Sequence, residues 1–302
     1  MEWEQTPAKA APPEVTEVSV ADWKAALTSA RHHLRQDRVN VAAGAFAYRW
    51  FLSLFPAVIA LLAVASLLAI PPHVTAKLIR GVTTALPPGA SGVLTQAINA
   101  ASRRTGGALS AVVVAAAVAV WSATSGMVMV EEGLDMAYEI AAERSFVEKR
   151  LLAVPLLAGS ALLGGAASAL TVFGPQIGRA IRGSVPVGAA LFGAGWTTLR
   201  WIAALALVNL LFSFVYWLAP NQRTGWRWAS PGAVVGTVVW ALISLGFSFY
   251  TTSLGSYGKT YGAFAGVAIL IFWLYLTGLA ILLGGEINAA FERQMAGRRP
   301  TG

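Results

Sequence analysis

The chain has 302 residues, 56% of them hydrophobic and 12% charged, with a mean hydropathy of +0.63 and a net charge of +8. Soluble domains carry roughly 25% charged residues, so the shortfall is that of a membrane bundle. Cysteine is absent, which excludes a disulfide framework, a thiol nucleophile and a cysteine metal site.

Met1 to Val18 is acidic, contains prolines and lacks an apolar run, so it reads as a disordered tail and not as a signal peptide. Ala21 to Asn40 is a basic amphipathic stretch. Lys24, Arg31, Arg35 and Arg38 fall on one side, with Trp23, Leu27 and Leu34 elsewhere, the pattern of an interfacial helix on an anionic membrane surface. Its adjacent His32 and His33 point about 100° apart on a helix and make a poor metal pair. A first span is expected over 41–70. It is charge-free except for Arg49, and Pro56 lies within it. Pro71 to Gly107 forms a polar connection of two short amphipathic pieces divided by Pro87-Pro88-Gly89, expected to rest at the interface.

Further spans are expected over 108–130, 151–173, 196–218, 231–254 and 261–286. The second is expected to continue as a helix into water through Glu131, Glu132, Asp135 and Glu139. Residues 174–195 read as a connector bearing Arg179 and Arg182. The fourth span has Arg200 near its start and Asn209 near its middle, and a basic aromatic loop runs from Arg223 to Trp228. Between Lys259 and Glu286 there is no charge, a stretch of about 26 residues or roughly 39 Å as a helix, against a hydrocarbon core of roughly 30 Å. Gly258, Gly262 and Gly266 stand at spacing four, a small-residue stripe suited to close helix packing. Residues 287–302 read as a short basic tail. The expected fold is therefore all-α: a six-transmembrane-helix bundle (41–286) with interfacial amphipathic helices, and cytoplasmic segments at 1–40 and 287–302.

With six spans both termini share a side, and the Lys/Arg excess places that side in the cytoplasm. Every Asp and Glu then falls inside. The outer face holds Lys77, Arg80, Arg103, Arg104, Arg179, Arg182 and Lys259 with no acid among them, a surface suited to anionic headgroups or glycans. The bland alternative is a basic surface resting on phosphate headgroups.

Several motifs carry a resemblance. They are Ala43-Gly44-Ala45-Phe46-Ala47-Tyr48-Arg49-Trp50-Phe51-Leu52-Ser53-Leu54-Phe55-Pro56, then Trp121-Ser122 and Tyr138, then Tyr216 to Asn221 and Ser230 to Ala233. The last run comprises Tyr261-Gly262, Gly266, Trp273-Leu274-Tyr275 and Leu283-Gly284-Gly285-Glu286-Ile287-Asn288-Ala289. Together, over residues 43–289, they resemble the YihY/virulence factor BrkB family, with a YhjD-like branch as one possibility. The resemblance implies a multi-pass protein of the bacterial inner membrane, of a family once called ribonuclease BN. It also implies links to serum resistance and, in the YhjD-like branch, to export of lipid A precursors. The chain departs from the family pattern at Gly285, where Ala is usual, and at Arg49, where a second aromatic is common.

Catalytic constellations are not assembled by the sequence. A metal-dependent nuclease needs clustered His, Asp or Glu around an open metal position. The three histidines are His32, His33 and His73, and the expected topology separates His73 from the others. Gly255-Ser256-Tyr257-Gly258-Lys259-Thr260 resembles a phosphate loop, but Ser253 stands where that loop needs glycine. No cofactor, metal, nucleic-acid partner or enzymatic activity is expected. Arg49 is expected either to pair with Glu286 or Glu132 or to bind an anionic headgroup. The stripe Glu132, Asp135 and Glu139 is expected to be solvated or to clamp onto Arg31, Arg35 and Arg38. The residues expected to form a substrate or intramembrane polar site are Tyr48, Arg49, Asn209, Trp217, Trp273, Tyr275 and Glu286. Transport or flipping of an anionic lipid or envelope precursor is the first functional expectation. A non-transporting scaffold or envelope-assembly factor is the alternative.

Overall fold

The computed structural model of the chain describes residues 19–36, 39–67, 109–182, 189–222, 225–253 and 257–297. Among these residues the structure is helical without strands: α1 (Val20–Gln36), α2 (Val39–Leu67), α3 (Leu109–Ala137), α4 (Phe146–Arg182), α5 (Ala189–Leu218), α6 (Pro231–Ser253) and α7 (Tyr257–Gly297). The segments Phe146–Arg182, Leu191–Leu218, Pro231–Tyr250 and Gly266–Met295 are long and apolar enough to cross a membrane. Helices α2 and α3, 29 residues each, overlie the expected first and second spans.

The helix ends follow from local chemistry. Ser19 and Asp22 form a reciprocal capping box at the start of α1: the Ser19 N–H donates to Asp22 Oδ2 at 3.1 Å, and the Asp22 N–H to Ser19 Oγ at 3.3 Å. Ser145 and Glu148 do the same for α4, at 2.7 and 3.4 Å. Helix α3 ends in a Schellman motif. The Ile140 N–H reaches the Asp135 carbonyl at 2.9 Å, and the Glu139 N–H reaches the Met136 carbonyl at 3.0 Å. Glu139 occupies the left-handed position of this motif, φ 54°, where glycine is the usual residue.

Two helices run past the ends expected for their spans. Helix α4 does not stop near residue 173; it continues through Gly174 to Arg182, part of the expected connector. The last helix does not end at Glu286. It runs to Gly297, and Ile287, Ala290 and Phe291 in the expected tail are buried. They form a cluster with Ala26 of α1, and Trp23 packs edge-on against Phe291 at 5.1 Å. Trp23 and Ala26 of α1 thus face protein, while Leu27 is 50% exposed. Burial of such side chains contributes roughly 1.5–3 kcal/mol each, enough to hold a helix that propensity alone would leave marginal.

The chain divides into two compact units, residues 1–37, 134–241 and 280–302 in one, and 38–133 and 242–279 in the other. In the second, Ala47, Leu270 and Leu274 form a core with Trp50, Phe51, Ile271, Trp273 and Tyr275 around it. Glycines admit the bulky rings there: a Cβ on Gly126 would stand 2.7 Å from Trp50, and one on Gly278 would stand 2.9 Å from Phe46. In the first unit, α4 and α5 pack as a hairpin, and the Trp196 indole N–H donates to the Gly174 carbonyl at 2.7 Å.

Candidate functional site

Among the described residues, a buried hydrogen-bonded joint lies in the first unit, where α5, α6 and α7 meet. It begins with the N-terminus of α6. A helix start leaves its first N–H groups without intrahelical partners. Here Pro231 has none to satisfy. The Ala233 N–H donates to the Ser230 hydroxyl at 3.3 Å, and the Val234 N–H donates to the Ser230 carbonyl at 3.1 Å. The Gly232 N–H is satisfied from another helix: it donates to Asn288 Oδ1 of α7 at 2.7 Å. The Asn288 amide in turn donates to Ser230 Oγ at 2.9 Å. Asn288 is 1% exposed, so both bonds form away from water.

The contact is close because the facing residues have no side chain. A Cβ on Gly232 would collide with the Gly284 carbonyl and the Asn288 amide. A Cβ on Gly284 would collide with the Tyr216 hydroxyl and the Gly232 carbonyl. Tyr216 of α5 completes the joint, its hydroxyl donating to the Ile281 carbonyl at 2.8 Å.

Acids and bases surround this joint. Glu286 is 0% exposed and Glu292 5%. Arg293 Nη2 stands 3.9 Å from Glu286, and its Nη1 donates to Glu139 at 3.1 Å. The Gln222 amide donates to Glu292 at 3.2 Å. Tyr138 is buried just past the end of α3; burial, and after it the charge of Glu292, hold its phenol well above the ordinary tyrosine range, so it stays neutral. Arg144 donates to the carbonyls of Ala219 and Pro220 at 2.7 and 3.0 Å, meeting the unsatisfied end of α5. The Asn221 N–H donates to Asp135 at 2.7 Å. Beside them an open cleft of about 620 Å³ is lined by Glu143, Arg144, Glu148, Leu151, Leu152, Pro155 and Asn221.

The residues expected to form one polar site fall in both units. In the second, Trp273 and Tyr275 pack around the Ala47 core, and the Tyr275 hydroxyl donates to Asn40 at 3.3 Å. Tyr48 is 62% exposed on α2, and Arg49 beside it is exposed. In the first unit Asn209 is half-buried on α5, and Trp217, 40% exposed, meets Trp226 edge-on at 5.4 Å. Trp226 meets Trp228 in the same way at 5.4 Å. Glu286 is enclosed and faces Arg293. Arg179 and Arg182 are exposed in the last turn of α4. Lys77, Arg80, Arg103 and Arg104 lie outside the described residues, as do the side chains of Lys259, Arg31, Arg35 and Arg38.

Two members of the acidic stripe have partners among the described residues. Asp135 ties down Asn221, and Glu139 holds Arg293. Sequence reasoning passed over Asn288, Ser230, Tyr216 and Arg144 as site residues. Ser-Pro-Gly is a recognisable helix start, but nothing local to Asn288 announces that it serves another helix.

The virulence factor BrkB family matches residues 30–302. The ribonuclease-like protein YfkH of Bacillus subtilis is 36% identical over 251 residues, which cover 82% of this chain and 88% of that protein. A UPF0761 membrane protein of Alteromonas mediterranea is 29% identical over 286 residues, 88% of each chain. A UPF0761 membrane protein of Nitrosospira multiformis is 30% identical over 166 residues, 55% of this chain and 37% of that one. No solved structure matches. The sequence match and the apolar helices agree: this chain belongs to the virulence factor BrkB family of membrane proteins.

Proposed function

We propose that this is a six-span protein of the bacterial inner membrane, with both termini in the cytoplasm, that transports or flips an anionic lipid or envelope precursor. The observation that carries this reading is Arg49. It is exposed on α2, an apolar helix with no other charge, and among the described residues no ion pair reaches it. An arginine at the bilayer centre costs about 2.5–3.5 kcal/mol on insertion scales, less when it snorkels. A lipid phosphate offers a bidentate, charge-assisted partner that offsets this cost. The exposed Tyr48 stands next to it, and Asn209, Trp217, Trp273 and Tyr275 are the further polar or amphipathic contacts proposed along the path. Glu286 belongs to the joint with Arg293 and is proposed as its structural counter-charge. The exposed Arg179 and Arg182 support an outer basic surface, to which Lys77, Arg80, Arg103, Arg104 and Lys259 are assigned from the sequence. Membrane lipids with anionic headgroups are the proposed partners; no cofactor and no enzymatic step enter the proposal.

One observation favours the scaffold reading instead. The joint of Tyr216, Gly232, Gly284 and Asn288 is close-packed and hydrogen-bonded, the build of a fixed element. Lipid flipping in liposomes separates the two. The purified protein is reconstituted with labelled anionic or zwitterionic lipid, beside Arg49→Ala and Arg49→Lys. Transport predicts protein-dependent flipping that prefers anionic lipid, falls in the alanine variant and is partly kept by lysine. Absence of flipping by correctly inserted protein, with Arg49→Ala unchanged, sinks the transport reading.

A further inference from the structure

We infer that the α4–α5 hairpin holds a second site, for the phosphate of an anionic phospholipid, with Arg200 as its main contact. The inference stands on the hairpin alone and requires no transport. Arg200 lies inside the apolar segment Leu191–Leu218. Its aliphatic stem occupies the notch left by Gly174: where a Cβ on Gly174 would stand, Arg200 Cγ is 3.0 Å away and Nε 3.5 Å. Trp196 fills the next notch, at Gly178, one turn along both helices. The Arg200 Nε is buried without a hydrogen-bond partner, and the guanidinium carbon sits 5.6 Å from the Trp201 ring centroid. The cation is thus held in place by its stem and by an aromatic face.

Among the described residues no acid pairs with it. The sequence contains no Asp or Glu between Glu148 and Glu286, and among the described residues no ion pair reaches Arg179, Arg182 or Arg200. Gly174, Gly178 and Arg182 share one helix face by their spacing of four, so Arg182 continues the same stripe, with Arg179 in the same final turn. Three cations at one end of a hairpin, with no counter-charge among the described residues, call for an external anion. The exposed neighbours Phe173, Ile177, Leu199 and Ile202 select its kind. A phospholipid supplies phosphate for the arginines and acyl chains for these side chains in one molecule; an acidic protein segment supplies only the first.

The test counts lipids retained by the purified full-length protein in native mass spectrometry, after incubation with phosphatidylglycerol or phosphatidylcholine. Wild type is expected to retain phosphatidylglycerol preferentially. Arg200→Gln is expected to lose that retention about tenfold or more, the scale of one charge-assisted hydrogen bond, with phosphatidylcholine unchanged. Arg200→Lys keeps the charge and is expected to fall between them. Should Arg200→Gln fail to fold, the Arg179→Gln/Arg182→Gln pair, on an exposed surface, is expected to lower phosphatidylglycerol retention in the same direction. Equal retention of both lipids by wild type, or full phosphatidylglycerol retention by folded Arg200→Gln, overturns the site.

Discussion

Replacing Asn288 with alanine tests the joint most directly. The side chain accepts from the Gly232 N–H at 2.7 Å and donates to Ser230 Oγ at 2.9 Å, both in a setting closed to water. Truncation removes the acceptor of the buried Gly232 N–H. A buried unsatisfied donor costs about 1–3 kcal/mol, and loss of the second bond adds about 1 kcal/mol. The expected destabilisation is therefore about 2–4 kcal/mol. It is read from the unfolding free energy in mixed micelles titrated with a denaturing detergent. A cycle with Ser230→Ala sharpens the test. Ser230 also caps the Ala233 N–H, so its own loss costs about 1 kcal/mol. The double variant should fall short of additivity by about 1 kcal/mol, since each single change already breaks the shared bond. A single Asn288→Ala effect below about 0.5 kcal/mol would falsify this account, because the bond to Gly232 would then carry no weight.

The same titration checks four more expectations. Gly284→Ala should destabilise strongly, by about 2 kcal/mol or more, because its methyl meets the Gly232 carbonyl and the Tyr216 hydroxyl. Gly285→Ala, the residue usual in the resembling family, meets only the tip of the Leu134 side chain and should cost less than about 1 kcal/mol; equal effects at 284 and 285 would contradict the packing described here. Tyr216→Phe keeps the ring and removes the bond to the Ile281 carbonyl, an expected loss of about 1 kcal/mol, and no change would mean that bond is not formed. Glu139→Gly should be more stable than Glu139→Ala by roughly 1 kcal/mol, since both lose the Arg293 pair and only glycine is relieved of the left-handed backbone. The reverse order would place Glu139 in an ordinary conformation.

The helical class and the positions of the apolar segments were legible because they rest on a local cost. An unpaired backbone or a charge in hydrocarbon is penalised wherever it sits, so long uncharged stretches such as Gly266 to Gly285 declare themselves. The family motifs were legible for a related reason: Gly284, Asn288 and Tyr216 are unusual residues in otherwise apolar runs. What they do was not. Asn288 reads as one polar residue in a presumed tail, and its role appears only when α6 delivers Gly232 to it. Glu286 reads as the polar end of a span, yet it is enclosed.

The helix boundaries divide in the same way. Apolar composition marks the part of a helix that avoids water, and it marked 151–173 and 261–286. Helix α4 goes on to Arg182 because Gly174 and Gly178 receive Arg200 and Trp196. Helix α7 goes on to Gly297 because Ile287 and Phe291 are covered by α1. Sequence alone determined that this protein lives in a membrane as helices, since transfer free energy is summed residue by residue along the chain. Tertiary structure decided where those helices end and which polar groups meet, since a hydrogen bond or a glycine notch has no value until the partner on another helix is in place.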